Sequence, residues 1–332
     1  MRTPSLTSGD ERPNPRDMIA YLDFEKPFAE LQSRIAELRE TAELGVADIG
    51  ADVEKLEVKA QRLLQDTYSR LTPWQKTQVA RHPERPHFKD YIAGLVDDFM
   101  PLCGDRAFGN DMAIVAGFGR IGGRRVMVIG HEKGDDTASR LRHNFGMGKP
   151  EGYRKAIRLM ELAGRFGVPV VTLVDTPGAF PGLAAEERGQ AEAIARSTQA
   201  TLDLGVPVVA CIVGEGGSGG AVALAAANRV IMFEHAIYSV ITPEGCASIL
   251  WRTADKAPEA AEAMKITATD LERLNVIDLI VREPVGGAHR DPKLAIDTLG
   301  KAVMSSLDEL SSLSPEALKL DRRRKFLAMG SV

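Results

Sequence analysis

Cysteine is scarce: Cys103, Cys211 and Cys246 are the only three in 332 residues. They are scattered and form no C-x-x-C pair, which argues for reduced thiols rather than a disulfide framework or a cysteine zinc site. Long apolar runs are missing as well. No stretch approaches the roughly 18 to 20 apolar residues a membrane span needs, and the opening "MRTPSLTSGDERPNPRD" has no apolar core for a signal peptide. The expected location is the cytoplasm, with no membrane partner. A basic surplus is also lacking, since Lys+Arg 42 against Asp+Glu 46 leaves a net charge of -4. A dedicated nucleic-acid binder would carry an excess of cations. What is present, 44% hydrophobic and 27% charged residues, is the composition of an ordinary globular protein. The length suits one large domain with an appendage, or two modest domains.

Three segments are expected. Residues 1–17, rich in Pro, Ser, Thr and charge, read as a disordered tail. Over 18–85, Phe28, Leu31, Ile35 and Leu38 recur at helical spacing, as do Val53, Leu56, Ala60 and Leu63 after the break "ELGVADIG". They predict an N-terminal helical hairpin, either a packing appendage or an oligomerisation arm, followed by the linker "ARHPERPHFKDYI". From 86 to 332 the pattern changes to an α/β alternation. "AIVAGF", "RRVMVIG", "VPVVTLVD" and "VPVVACIVG" read as strands, and "EGYRKAIRLMELAGRFG" and "AEERGQAEAIARSTQATLDLG" as helices. Near-continuous Val/Ile runs between helices indicate a parallel sheet covered on both faces. The loops "DTPGAFPG" and "GEGGSGG" follow strands that open with the same word, "GVPVV". They should lie side by side at the carboxyl edge, where open α/β sheets bind ligands.

Several motifs need sorting. Gly117, Gly119 and Gly122 in "GFGRIGG" fit G-x-G-x-x-G, but a strand rather than a helix follows, so a hairpin turn is the better reading. Gly216-Gly217-Ser218-Gly219-Gly220 fits the G-x-S-x-G elbow of serine hydrolases. His235 follows Ser218 too soon for such an enzyme, whereas His289 stays open. A phosphate loop fails because no Lys precedes Ser218 and Glu215 would repel phosphate. The remaining reading is an oxyanion hole. Glycines let backbone come close to a ligand, and a helix beginning near Ser218 would aim free N–H groups outward. Five glycines within "GEGGSGG" are more than helix–strand packing needs. Glu215 and Glu244 are the carboxylates to weigh against capping or loop hydrogen bonding. The cations Arg140, Arg142, Lys149, Arg154 and Lys155 are either a phosphate-contacting loop or a solvated charged face.

Longer words carry a resemblance that runs from Tyr21 to the C-terminus: "YLDFEKP", "DYIAGLVDDF", "PEGYRKAIRLM", "DTPGAFPG", "GEGGSGGA", "ITPEGCASILW" and "GGAHRDP". The chain resembles the carboxyltransferase α subunits of bacterial acetyl-coenzyme A carboxylases, in the crotonase superfamily. The resemblance implies a crotonase-type superhelix of ββα units behind the helical hairpin. It implies transfer of a carboxyl group from carboxybiotin, borne on biotin carboxyl carrier protein and charged by biotin carboxylase, to acetyl-CoA. The product is malonyl-CoA, in the first committed step of fatty acid biosynthesis. It also implies a zinc-containing β subunit, an α2β2 assembly and no metal in this chain. In that family one oxyanion hole, in β, holds the thioester enolate, and the other, in α, holds the ureido oxygen of biotin. Carried over, the α hole falls on the N–H groups of Gly219 and Gly220. Gly178, Ala179, Phe180, Gly216 and Gly217 would form the carboxybiotin pocket. Arg140 and Arg142 would be the candidates for coenzyme A contact.

Overall fold

The computed structural model describes residues 20–43 and 50–330. The expected tail over 1–17 and most of "ELGVADIG" lie outside them. Among the described residues eight strands form one sheet: β1 (Asp97–Pro101), β2 (Ile114–Ile121), β3 (Arg124–His131), β4 (Val170–Thr176), β5 (Val208–Gly217), β6 (Arg229–Phe233), β7 (Ile237–Ser239) and β8 (Leu279–Val281). The order is β1-β2-β3-β4-β5-β6-β8, with β7 paired to the far end of β5. The first three strands are antiparallel neighbours and the rest run parallel. β4 and β5 are buried at every residue, which is why their sequences show no polar alternation. No helix among the described residues is long and apolar enough to cross a membrane.

The "GFGRIGG" glycines divide between two structural jobs. Gly122 and Gly123 take φ of +55° and +79° and close the two-residue β2–β3 hairpin, as a type I′ turn requires. Gly117 and Gly119 lie inside β2, where a Cβ would run into Met100 of β1 and into Val96 just before it. No helix opens there, so the dinucleotide reading falls away. One expected element is corrected. "AEERGQAEAIARSTQATLDLG" forms two helices, Leu183–Glu186 and Gln190–Asp203, because Gly189 between them adopts φ +80°. The helices Pro150–Phe166, Gln190–Asp203 and Ser218–Ala225 pack on one another in sequence order. At the far end, the fully buried Arg322 of the Pro315–Ala328 helix donates to the carbonyls of Leu202, Leu204 and Val206 and to Asn228 Oδ1.

The N-terminal helices Lys26–Glu43 and Gly50–Tyr68 form the expected hairpin with its own small core, in which Phe28 and Ile35 meet Ala60, Leu64 and Tyr68. Polar contacts fasten it to the main body. Glu25 Oε1 accepts from Tyr68 Oη at 3.0 Å and from Arg290 Nη2 at 2.5 Å, and His82 stacks on His289 with ring centroids 3.8 Å apart. "YLDFEKP" and "GGAHRDP" therefore meet at one ion pair, 265 residues apart in sequence.

This junction makes stability depend on pH. Burial pushes His82, His235 and His289 below the ordinary imidazole value, with nearby cations adding to the effect at His289. Burial also takes His131, at the end of β3, down to about 4. A folded-state value below the unfolded one favours folding above about 6.5, the unfolded imidazole value. That contribution is lost as pH falls through the folded values. Urea unfolding should therefore show stability dropping steadily from pH 7.5 to pH 5, and a flat profile over that window would contradict these assignments.

Candidate active site at the carboxyl ends of β4 and β5

The two glycine loops do lie side by side. β4 and β5 are parallel neighbours, and Thr176 pairs with Gly216 where both strands end. After β4 the chain folds back on itself, with Thr176 Oγ1 donating to Gly178 O at 2.7 Å and accepting from Gly178 N at 3.1 Å. Phe180 N then donates to Gly148 O, and Gln190 Nε2 donates to both Gly148 O and Phe180 O, each at 2.9 Å. Lys149 Nζ lies 5.4 Å from the centroid of the Phe180 ring. The loop is thus pinned at both ends.

After β5 the chain turns into the Ser218–Ala225 helix. Ser218 makes the turn at φ +54°, a backbone conformation that is costly for a residue with a Cβ. Gly217 is the N-cap and offers no side-chain acceptor, so the first-turn N–H groups have neither a cap nor an intrahelical partner. The helix start is pressed against the β4 loop. A Cβ on Gly220 would lie 2.7 Å from both the Ala179 nitrogen and the Gly178 carbonyl carbon, and 3.0 Å from Tyr153 Oη. One on Gly219 would meet only the Ile194 side chain, at 3.4 Å. Ser218, Gly219, Ala179 and Phe180 keep partial exposure, whereas Gly178, Gly216, Gly217 and Gly220 are buried.

Strand, tight turn and helix match the setting of a hydrolase elbow, but the histidines are committed elsewhere. His289 is stacked on His82, and His235 packs edge-on against Tyr68 with centroids 5.4 Å apart. Among the described residues Ser218 Oγ has no hydrogen-bond partner, so nothing here would activate it as a nucleophile.

The two carboxylates are held by one arginine. Arg81 donates to Glu215 Oε1 from Nε and Nη2, at 2.9 and 2.6 Å, and to Glu244 Oε1 from Nη1, at 2.6 Å. The basic cluster separates. Lys155 is buried on Asn110 Oδ1 and Asp111 O, and Arg154 pairs with Asp105 at 2.8 Å. Neither is a free surface cation. Arg140 lines a cleft of about 220 Å³ together with Arg81, Arg85, Lys133, Phe145 and Asp175. Arg142 ends the same short helix, Thr137–Arg142, and is exposed.

Asp175 and Arg81 escaped the sequence reading. Asp175 Oδ1 accepts from Lys133 Nζ at 2.6 Å and from Glu215 N at 2.9 Å, joining the ends of β3, β4 and β5. Its only sequence signal is its place at the head of "DTPGAFPG". Arg81 sits in the Pro- and His-rich linker, 134 residues from Glu215, and has no local signal at all.

Residues 21–330 match the model of the acetyl co-enzyme A carboxylase carboxyltransferase-like family. The chain belongs to that family. It is 72% identical over 313 residues to the acetyl-coenzyme A carboxylase carboxyl transferase subunit alpha of Rhizorhabdus wittichii, covering 94% of this chain and 100% of that one. It is 67% identical, with the same coverage, to the protein so named from Zymomonas mobilis. Among solved structures, transcarboxylase 12S in a complex with methylmalonyl-coenzyme A superposes at a TM-score of 0.57 and 20% identity, over 69% of this chain and 42% of that one. At that identity the likeness speaks for the fold, which is the crotonase type the sequence resemblance implies.

Proposed function

We propose that this chain is the α subunit of a biotin-dependent carboxyltransferase, which passes a carboxyl group from carboxybiotin on a carrier protein to acetyl-CoA and yields malonyl-CoA. One observation carries the reading. An uncapped helix start at Ser218–Gly220, pressed onto Gly178 and Ala179, occurs in a chain that matches acetyl-CoA carboxylase α subunits along their whole length.

Carboxybiotin supplies the activated carboxyl group, and negative charge gathers on its ureido oxygen as that group leaves. The task of this chain is to meet that charge. Gly219 and Gly220 present backbone N–H donors already fixed in place, and one such donor is typically worth about 2.7 to 4 kcal/mol in the transition state. Neutral donors fit a neutral ureido group better than a cation would, because they do not hold the ring before charge develops. Gly178, Ala179 and Phe180 form the wall of the pocket, and Gly216 and Gly217 shape it from behind. No side chain of the turn needs to titrate. Glu215 and Glu244 are occupied by Arg81, which argues against either as a general base.

A zinc-containing β subunit in an α2β2 assembly supplies the second oxyanion hole, for the thioester, and biotin carboxylase charges the carrier. Arg140, at the cleft, is the cation of the basic loop best placed to meet a coenzyme A phosphate, and Arg142 lies outside the cleft. Co-expression with the host's β subunit tests the reading. Malonyl-CoA should form from carboxylated carrier and acetyl-CoA only when both subunits are present. Formation by either subunit alone, or none by a well-assembled complex, would count against it.

A further inference from the structure

β5 leaves register with β4 just before the glycine turn. Val174 pairs with Ile212 and Thr176 with Gly216, so Val213, Gly214 and Glu215 all stand opposite the single residue Asp175. An irregularity of this kind sets where a strand ends and how the chain leaves it. Here it decides which amides arrive at the start of the Ser218–Ala225 helix.

The three residues are held by Asp175 of β4 and by two arginines from outside both strands. Val213 O accepts from Arg85 Nη2 at 2.8 Å. Gly214 lies on the Asp175 carboxylate, where a Cβ would come within 2.5 Å of Oδ1, and Glu215 N donates to that same oxygen. The Glu215 side chain is gripped by Arg81, whose guanidinium also reaches Glu244 at the start of the Pro243–Trp251 helix. Both arginines come from the linker behind the N-terminal helices. Arg85 is sealed in a buried pair with Glu283. Arg81 and Glu244 remain partly open, with side chains 27% and 36% exposed, whereas the Glu215 side chain is only 6% exposed.

We infer that Arg81 is a positioning residue for the Gly219 and Gly220 amides, acting through Glu215. The inference rests on the reading of those amides as oxyanion donors. Magnitudes separate it from simple fastening of the N-terminal helices. Removing Arg81 alone leaves the buried Glu215 carboxylate without its cation and costs stability, whereas replacing both Arg81 and Glu215 leaves no buried charge unpaired and costs less. Rate is far more sensitive, because a donor displaced by about 1 Å can lose about 100-fold. A loss of turnover that persists in the double variant, where no buried charge is stranded, therefore reports positioning rather than fastening.

The test uses the assembled carboxyltransferase with Arg81→Met, Glu215→Gln, the double variant, Arg81→Lys and, as a reference, Gly220→Ala. Arg81→Met should lower kcat by about 10-fold to 100-fold, with KM for acetyl-CoA close to wild type and a lowered melting temperature that the double variant largely regains without regaining kcat. The double variant should be no slower than the slower single, and Arg81→Lys should recover part of the loss. A wild-type kcat in Arg81→Met, or losses that multiply in the double variant, would overturn the inference while an inactive Gly220→Ala left the oxyanion reading standing. If Gly220→Ala is itself fully active, that reading falls and takes the inference with it.

Discussion

Gly220→Ala should cut kcat for carboxyl transfer by about 100-fold to 1000-fold, the loss expected when one oxyanion donor is misplaced, whereas Gly219→Ala should be nearly silent. Both variants keep their N–H groups, so the contrast reports position alone. The added methyl at Gly220 meets backbone atoms of Gly178 and Ala179 at 2.7 Å. That backbone cannot retreat, because Thr176 and Gly148 fix the loop on either side. The helix start must shift instead. At Gly219 the methyl meets only the tip of Ile194, at 3.4 Å, and a side chain can adjust. The comparison needs kcat and KM for the assembled enzyme, with sedimentation to confirm that the subunits still associate. Equal activity in the two alanine variants would remove the geometric basis for the hole.

Glu283→Ala should destabilise the fold by about 3–5 kcal/mol, the usual cost of stranding one partner of a buried ion pair. The Glu283 side chain is fully buried. It accepts from Arg85 Nη1 and Nη2 at 2.7 and 3.0 Å, from Ala288 N at 2.7 Å and from His235 N at 3.1 Å. Its removal leaves the Arg85 charge without a counter-ion and two backbone donors without an acceptor. Replacing both members, as in Arg85→Met with Glu283→Leu, should cost less than Glu283→Ala alone, because no buried charge is then left unpaired. Urea unfolding of the three proteins decides the matter. A double variant less stable than Glu283→Ala would show that the pair gives more than mutual neutralisation.

Much of the fold and part of the site could be read from local signals. The apolar runs of β4 and β5, the 3.6-residue stripe of Pro150–Phe166 and the glycine-rich start of the Ser218–Ala225 helix are each contained in a short window, and each was legible there. The misread features depend on distance or on a single dihedral. Gly189 breaks a helix whose apolar pattern continues across it. Lys155 and Arg154 look like surface cations until Asn110, Asp111 and Asp105 are brought to them by the fold. The Ser218 elbow has the local geometry of a nucleophile site. Only the placement of His235 and His289, on Tyr68 and His82, shows that it lacks a base. The bulge in β5 and its grip by Arg81 were invisible for the same reason, since pairing register is a property of two strands and a clamp brings in a third segment.

The central claim is that backbone amides, not the Ser218 hydroxyl, support carboxyl transfer. The most direct measurement is kcat for malonyl-CoA formation by the complex carrying Ser218→Ala. Turnover close to wild type is the predicted result, since alanine leaves every N–H of the turn in place. A loss of about 1000-fold or more, heading toward the roughly million-fold cost of removing a true nucleophile, would contradict the account.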